Sequence, residues 1–322
     1  MLCVSKYFRI LTSTALTTLV AVTAAQALNT AGPNRPAAVP ANYVITPFGY
    51  FHPSCVDHLA KGDVLLHDEK AIQHADGMTE KIPVCEFPHY KADGQAVMGD
   101  EPGTQAPPNI SHAWVEYASI TTTTAYGQIY SEWTVPPNPT NNDGQTVYLF
   151  NGLEDINDVV TIIQPVLGWN SDYGSAWGIA AWNCCESGTV IEGTPAHTNP
   201  GDHLEGYVFD NCSAGTKTCS SWDIVIVDVT TGAFSELLDS SNFGQTFNWA
   251  FGGVLEVYNI VQCGDYPPPD YAGGIGFFNQ SILNDKFVAL KNPAWSVTNL
   301  GGGLTPACNY GGSITKQVIL TY

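Results

Sequence analysis

From Trp114 to the end of the 322-residue chain, short apolar runs recur with β-branched and aromatic residues and without helical spacing. They read TAYGQIYSEWTV, TVYLFNGL, DVVTIIQPVL, HLEGYVF, WDIVIVDV, GGVLEVYNI and ITKQVILTY, with Gly, Pro, Asn or Asp between them. Branched and aromatic side chains suit a pleated surface, and the small polar residues turn the chain. No amphipathic helix of useful length interrupts the series. Many strands in about 210 residues predict an all-β fold, an antiparallel sandwich or barrel.

Charge narrows the partners. The formal net charge is −19, and only 13% of residues are charged. Residues 112–322 hold four lysines, no arginine and 20 Asp plus Glu, a balance of −16. Such a surface repels phosphate backbones, which excludes nucleic acid. The missing arginine also removes bidentate phosphate recognition, and with it nucleotide cofactors. At pH about 3 most carboxylates are neutral. Few positive groups would then remain in this part of the chain to repel one another, which suits acidic surroundings. Solubility through net negative charge is the alternative reading of the same numbers.

Lys6 and Arg9 precede an apolar stretch from Ile10 to Val22, followed by Ala25-Gln26-Ala27. This is the pattern of a secretory signal peptide over residues 1–27. No later stretch approaches the ~20 apolar residues of a membrane helix. A secreted monomer follows as the expectation. Cleavage after Ala27 leaves eight cysteines, an even number that favours disulfides in an exported chain. Cys212 and Cys219 flank a short loop they can close, and Cys55 and Cys85 are the pair upstream of residue 112. Adjacent Cys184 and Cys185 are each expected to find a distant partner. No C-x-x-C occurs, and His197 and His203 lack ligand-like spacing, so no metal site is expected.

Residues 28–111 differ in character. They hold Arg35, four lysines and five of the eight histidines, with Pro-rich stretches at Gly32 to Pro40 and Glu101 to Pro108. The second stretch reads as a linker. The segment between is a small Cys-linked β unit, either a propeptide or a permanent accessory domain. Residues 112–322 form the main domain.

Serine-hydrolase, zinc-peptidase and P-loop motifs are all missing, as is an aspartic-peptidase D-[ST]-G. Only His112, His197 and His203 lie beyond residue 111. Acid–base work therefore falls to carboxylates, with amides as partners. Two strands carry a polar residue where an apolar one is due. Val160, Ile162, Gln164 and Val166 share one face of their strand, and Val254, Glu256 and Tyr258 share one face of theirs. Periodicity alone leaves open that both faces are solvated.

The order of blocks resembles the glutamic peptidases, or eqolisins, over about two thirds of the chain. HAWVEY (112–117) is similar to that family's opening N-W-A-G-y, and GQIYSEWTVP (127–136) to its g-x-F-x-V-P strand. YLFNGLED (148–155) resembles a-W-v-G-I-D-G, and IIQPVLGW (162–169) resembles i-L-Q-t-G. A PGD turn (200–202) and WDIVIVDVTTG follow, and GVLEVYNI resembles the strand around the catalytic glutamate. The resemblance implies a concanavalin- or lectin-like β-sandwich of two curved antiparallel sheets, with the catalytic pair on a concave face. By position that pair is Gln164 and Glu256. Phe150 stands in place of a substrate-contacting Trp, Glu154 in place of an Asp, and Val257 in place of a Trp. The family's acidic W-Y-E-W residue has no counterpart in WGIAAW (177–182). Phe150, Glu154, Trp182 and Tyr258 are the expected substrate contacts.

The implied activity is a secreted acid endopeptidase acting on protein or peptide, without cofactor. Glu256 would deprotonate the attacking water, and the Gln164 amide would hold the water and donate to the oxyanion. Two other readings stand beside it. A glycoside hydrolase would pair Glu256 with Glu154, and a lectin-like binding module would use neither.

Overall fold

A computed structural model describes residues 35–66, 70–97, 114–157, 161–300, 306–314 and 317–322. The expected signal peptide 1–27, the linker Glu101 to Pro108, His112 and Val160 lie outside these residues.

The chain is all-β, and no α-helix occurs among the described residues. Correspondingly, no helix there is long and apolar enough to cross a membrane. The N-terminal segment contributes β1 (Val44–Thr46), β2 (Gly49–Phe51), β3 (Val56–Leu59), β4 (Val64–Leu66), β5 (Ala71–Gln73), β6 (Thr79–Lys81), β7 (His89–Tyr90) and β8 (Ala96–Val97). Next come β9 (Trp114–Thr121), β10 (Tyr126–Thr134), β11 (Thr146–Glu154), β12 (Gln164–Trp169), β13 (Trp177–Glu186), β14 (Thr189–Gly193), β15 (Ala196–Thr198) and β16 (His203–Asp210). The last are β17 (Trp222–Asp228), β18 (Phe234–Ser240), β19 (Trp249–Tyr258), β20 (Gly274–Asn284), β21 (Ser296–Asn299), β22 (Gly311–Ile314) and β23 (Val318–Thr321).

Two sheets make a sandwich. One has nine strands in the order β21-β9-β19-β11-β12-β13-β14-β3, with β15 beside β13. The other has seven, in the order β18-β17-β16-β10-β20-β23-β22. Pairing within them is antiparallel except that β3 runs parallel to β14. The core between the sheets holds Ile129, Trp133, Leu149, Leu167, Ile179, Leu204, Ile224, Leu255 and Phe277.

The two sheets differ in how their sequences alternate. In β16 and β17 every second residue is buried, because the outer face of the seven-stranded sheet meets water. In β11, β12 and β19 every residue is buried. The nine-stranded sheet is therefore covered on both faces. Its outer cover is the N-terminal segment: Val39, Tyr43, Ile45, Tyr50, Phe51, Cys55 and Val56 form one apolar cluster with Tyr148, Phe150, Trp182, Phe251 and Tyr258. Burying such side chains contributes about 1.5–3 kcal/mol each before the entropy of ordering them.

Eight cysteines pair as Cys55–Cys85, Cys184–Cys185, Cys212–Cys219 and Cys263–Cys308. The expectation of distant partners for Cys184 and Cys185 is wrong. The structure pairs the two with each other, and the other described cysteines are already taken. Cys55–Cys85 closes the N-terminal segment upon itself, so no disulfide among the described residues ties it to the sandwich.

Candidate active site

The polar exceptions in β12 and β19 both point to the outer face of the nine-stranded sheet, among Ile162, Val166, Val254 and Tyr258. Neither sits on a solvated face. Gln164 is 0% exposed and Glu256 1%. Neither atom of the Gln164 amide has a hydrogen-bond partner, and Glu256 Oε2 is also unpaired. A buried amide without partners is costly, about 1–3 kcal/mol for each lost bond.

β11 lies between the two strands and sets their offset. The ladder Phe150↔Val166 and the bridge Leu153↔Ile163 place Gly152 opposite Gln164, whereas Glu256 faces Tyr148. Gln164 and Glu256 thus flank β11 on one face, four positions apart along it, and do not bond to each other. Gln164 also faces Trp182, which faces Glu192, which faces His58 of the N-terminal segment. A single row across the sheet joins them.

The carboxyl of Glu256 is held firmly. Tyr258 donates its hydroxyl to Oε1 at 2.7 Å, and the Trp114 indole also donates to the carboxyl. Burial pushes Glu256 up to about 8; the Tyr258 and Trp114 bonds pull it down, and the charge of Glu154 adds to the rise. Burial likewise pushes Glu154 up to about 8. Glu154 lies beside Trp249 in the β11–β19 ladder, on the same face. Glu192 is raised well above its ordinary range by burial and by Asp172, and its Oε2 lies 2.5 Å from His58 Nδ1.

Of the expected substrate contacts, Phe150 and Trp182 line this face, with Phe150 edge-on to Trp114. Both are covered by the N-terminal segment. Tyr258 lies on the same face, with its hydroxyl donated to Glu256. Its ring meets Tyr50 of the segment edge-on at 5.4 Å, and the neighbouring Tyr148 hydroxyl donates to the Ile45 carbonyl at 3.3 Å.

No family model matches the chain, and no curated protein matches it. Solved structures do. Scytalido-glutamic peptidase with a peptide-based transition state analog overlays with a TM-score of 0.47 at 14% identity, covering 65% of this chain and 98% of that one. SCP-B, a member of the eqolisin family of peptidases in complex with the tripeptide Ala-Ile-His, overlays at 0.46 and 15% identity over 65% and 98%. The CBM2 module of the Lactobacillus casei BL23 phage J-1 evolved Dit gives 0.25 at 9% identity, covering 49% and 76%.

Sequence reasoning assigned no role to Trp114, Glu192 or His58. Trp114 sits in the HAWVEY block and so had a signal. Glu192 and His58 had none, since register alone aligns two residues so far apart in the chain.

Proposed function

We propose that the chain is a glutamic-type acid endopeptidase folded with its catalytic face covered. The observation that carries this reading is the Gln164 amide. It is fully buried, with donor and acceptor both unused, on the same face as a carboxyl that has one oxygen unused. A water molecule and a peptide carbonyl between Gln164 and Glu256 would fill those vacant bonds. Ionised Glu256 then takes the water's proton and passes it to the leaving nitrogen, while the Gln164 NH2 donates to the oxyanion.

In the covered form Glu256 holds its proton through the acid range, since burial sets it near 8. It is then no base. Removing the cover restores water to the carboxyl and leaves the Tyr258 and Trp114 bonds, which favour its charged form. Those bonds would hold Glu256 below the ordinary carboxylate range, where a base must lie to act in acid.

Residues 28–111 act in this reading as an inhibitory segment released on acidification. The segment docks through an apolar cluster, and two of its basic residues lie over rings, Arg35 over Tyr50 and Lys61 over Phe234. Acid acts through histidine. His89, stacked on Phe51, is lowered to about 4 by burial, and Lys91 adds to this; burial also lowers His58. Both favour the docked segment when neutral and oppose it when protonated. Glu256 and Glu154, raised by the same burial, favour docking as pH falls, so release requires the histidines to outweigh them. The test is to incubate the full secreted chain with a protein substrate from pH 3 to 7, with polysaccharide as the rival substrate. Proteolysis lost in Glu256→Gln supports the reading, and polysaccharide cleavage without proteolysis defeats it.

A further inference from the structure

A second cluster of ligating side chains lies away from the covered face, on the outer face of the seven-stranded sheet. Glu132 of β10 and Glu205 of β16 stand directly opposite each other, and His203 lies two residues from Glu205 on the same face. Two carboxylates in this position repel one another, and like charges directly opposite destabilise a ladder. One atom each of Glu132, His203 and Glu205 lie within 4.8 Å of one another. His203 Nε2 is 3.0 Å from Glu132 Oε2, and the Glu132 side chain is only 14% exposed.

Surrounding residues hold the three groups in place. Tyr130 donates to Glu132 Oε1 at 2.6 Å, turning Oε2 toward the imidazole. Tyr207 donates to Glu205 Oε2. Phe278 stacks on the His203 ring, and Asn279 bonds to Glu132 from a bulge where β20 slips against β10. Outer groups that orient an imidazole and carboxylates in this way are the usual support of a metal ligand set.

We propose that Glu132, His203 and Glu205 bind one divalent first-row cation, with Zn²⁺ as the fitting probe and water completing its shell. One imidazole and two carboxylates match the borderline character of that ion. Donors around an ion with bonds of ~2.1 Å stand about 3.3–4.2 Å apart. Here His203 Nε2 and Glu132 Oε2 would part slightly from 3.0 Å, and the third donor, within 4.8 Å, would close in. The cation neutralises the opposed glutamates and clamps β10 to β16. The site is independent of Gln164 and Glu256, and its role is structural.

The experiment is zinc retention by the full chain at pH 7, measured by elemental analysis after gel filtration from a micromolar excess, beside thermal unfolding with and without zinc. Wild type should retain one zinc per chain and gain Tm with zinc. Glu205→Gln and His203→Gln, each confirmed folded by circular dichroism, should retain at least tenfold less and gain nothing. Two variants from one strand guard against one that fails to fold. Zinc-free wild type, or both variants loading zinc as wild type does, overturns the site.

Discussion

The Tyr258 hydroxyl donates to Glu256 Oε1 at 2.7 Å, from two residues along the same strand face of β19. This bond, with that from Trp114, orients a carboxyl whose other oxygen has no partner. The arrangement keeps one oxygen free for water. It also predicts which changes alter the chemistry and which alter only its pH range.

Glu256→Gln keeps shape and removes the proposed base, and Gln164→Ala removes the amide proposed to donate to the oxyanion. Each should lower kcat for acid proteolysis by about 100-fold or more, with an unchanged circular dichroism spectrum. A folded Glu256→Gln enzyme with normal proteolysis would refute the dyad. Pepstatin should have no effect on wild type, because the chain lacks a D-[ST]-G motif.

Tyr258→Phe deletes a donor that favours charged Glu256, so the carboxyl's pKa must rise. The acid limb of kcat/KM should move to higher pH by about one unit, as one charge-assisted bond of about 1.5 kcal/mol implies. A profile that keeps its acid limb and loses only amplitude would point to a packing role instead.

His89→Phe keeps the stack on Phe51 and removes the titration. A histidine with a lowered folded pKa stabilises docking above its unfolded value near 6.5, and that contribution is lost as pH falls toward about 4. Hydrogen exchange at Val44–Thr46 and Gly49–Phe51 should therefore gain a histidine-dependent rise in wild type between pH 6.5 and 4, set against the opposing effect of Glu256 and Glu154, after correction for intrinsic rates. It should rise less in His89→Phe. N-terminal sequencing after incubation at pH 3.5 should find a start near residue 110 in wild type and none in Glu256→Gln. An intact start at Leu28 in a fully active enzyme would refute release.

The sandwich should respond to pH in the opposite direction. Burial raises Glu116 and Glu154 to about 8 and Asp210 and Asp270 to about 6. A carboxyl with a raised folded pKa contributes fully below its unfolded value, and that stability is lost as pH climbs to the folded one. Scanning calorimetry should show Tm falling between pH 4.5 and 8; a net ~3 kcal/mol corresponds to roughly 6–12 °C. Glu116→Gln, whose site accepts backbone bonds from Gly311 and Thr321, should reduce that slope. A Tm independent of pH would show that these carboxyls are not buried as described.

Strand content was legible because it depends on local pattern. Each of the seven runs read from Trp114 onward carries a strand, since alternating or branched residues bury their apolar side best on a pleated surface. The pairs Cys55–Cys85 and Cys212–Cys219 were legible from isolation and closeness. That Gln164 and Glu256 break an apolar period was visible too. Which way they face was not: a strand's period gives two faces and does not say what covers either one. The burial of both came from Tyr43, Ile45 and Tyr50, more than 100 residues upstream of Gln164, packing over the outer face. Only long-range pairing decides such matters. The row from Gln164 through Trp182 and Glu192 to His58, and the meeting of Glu132 with His203 and Glu205, exist because separate strands settle in register. Register is chosen by the whole buried surface, so no short stretch of the chain contains it.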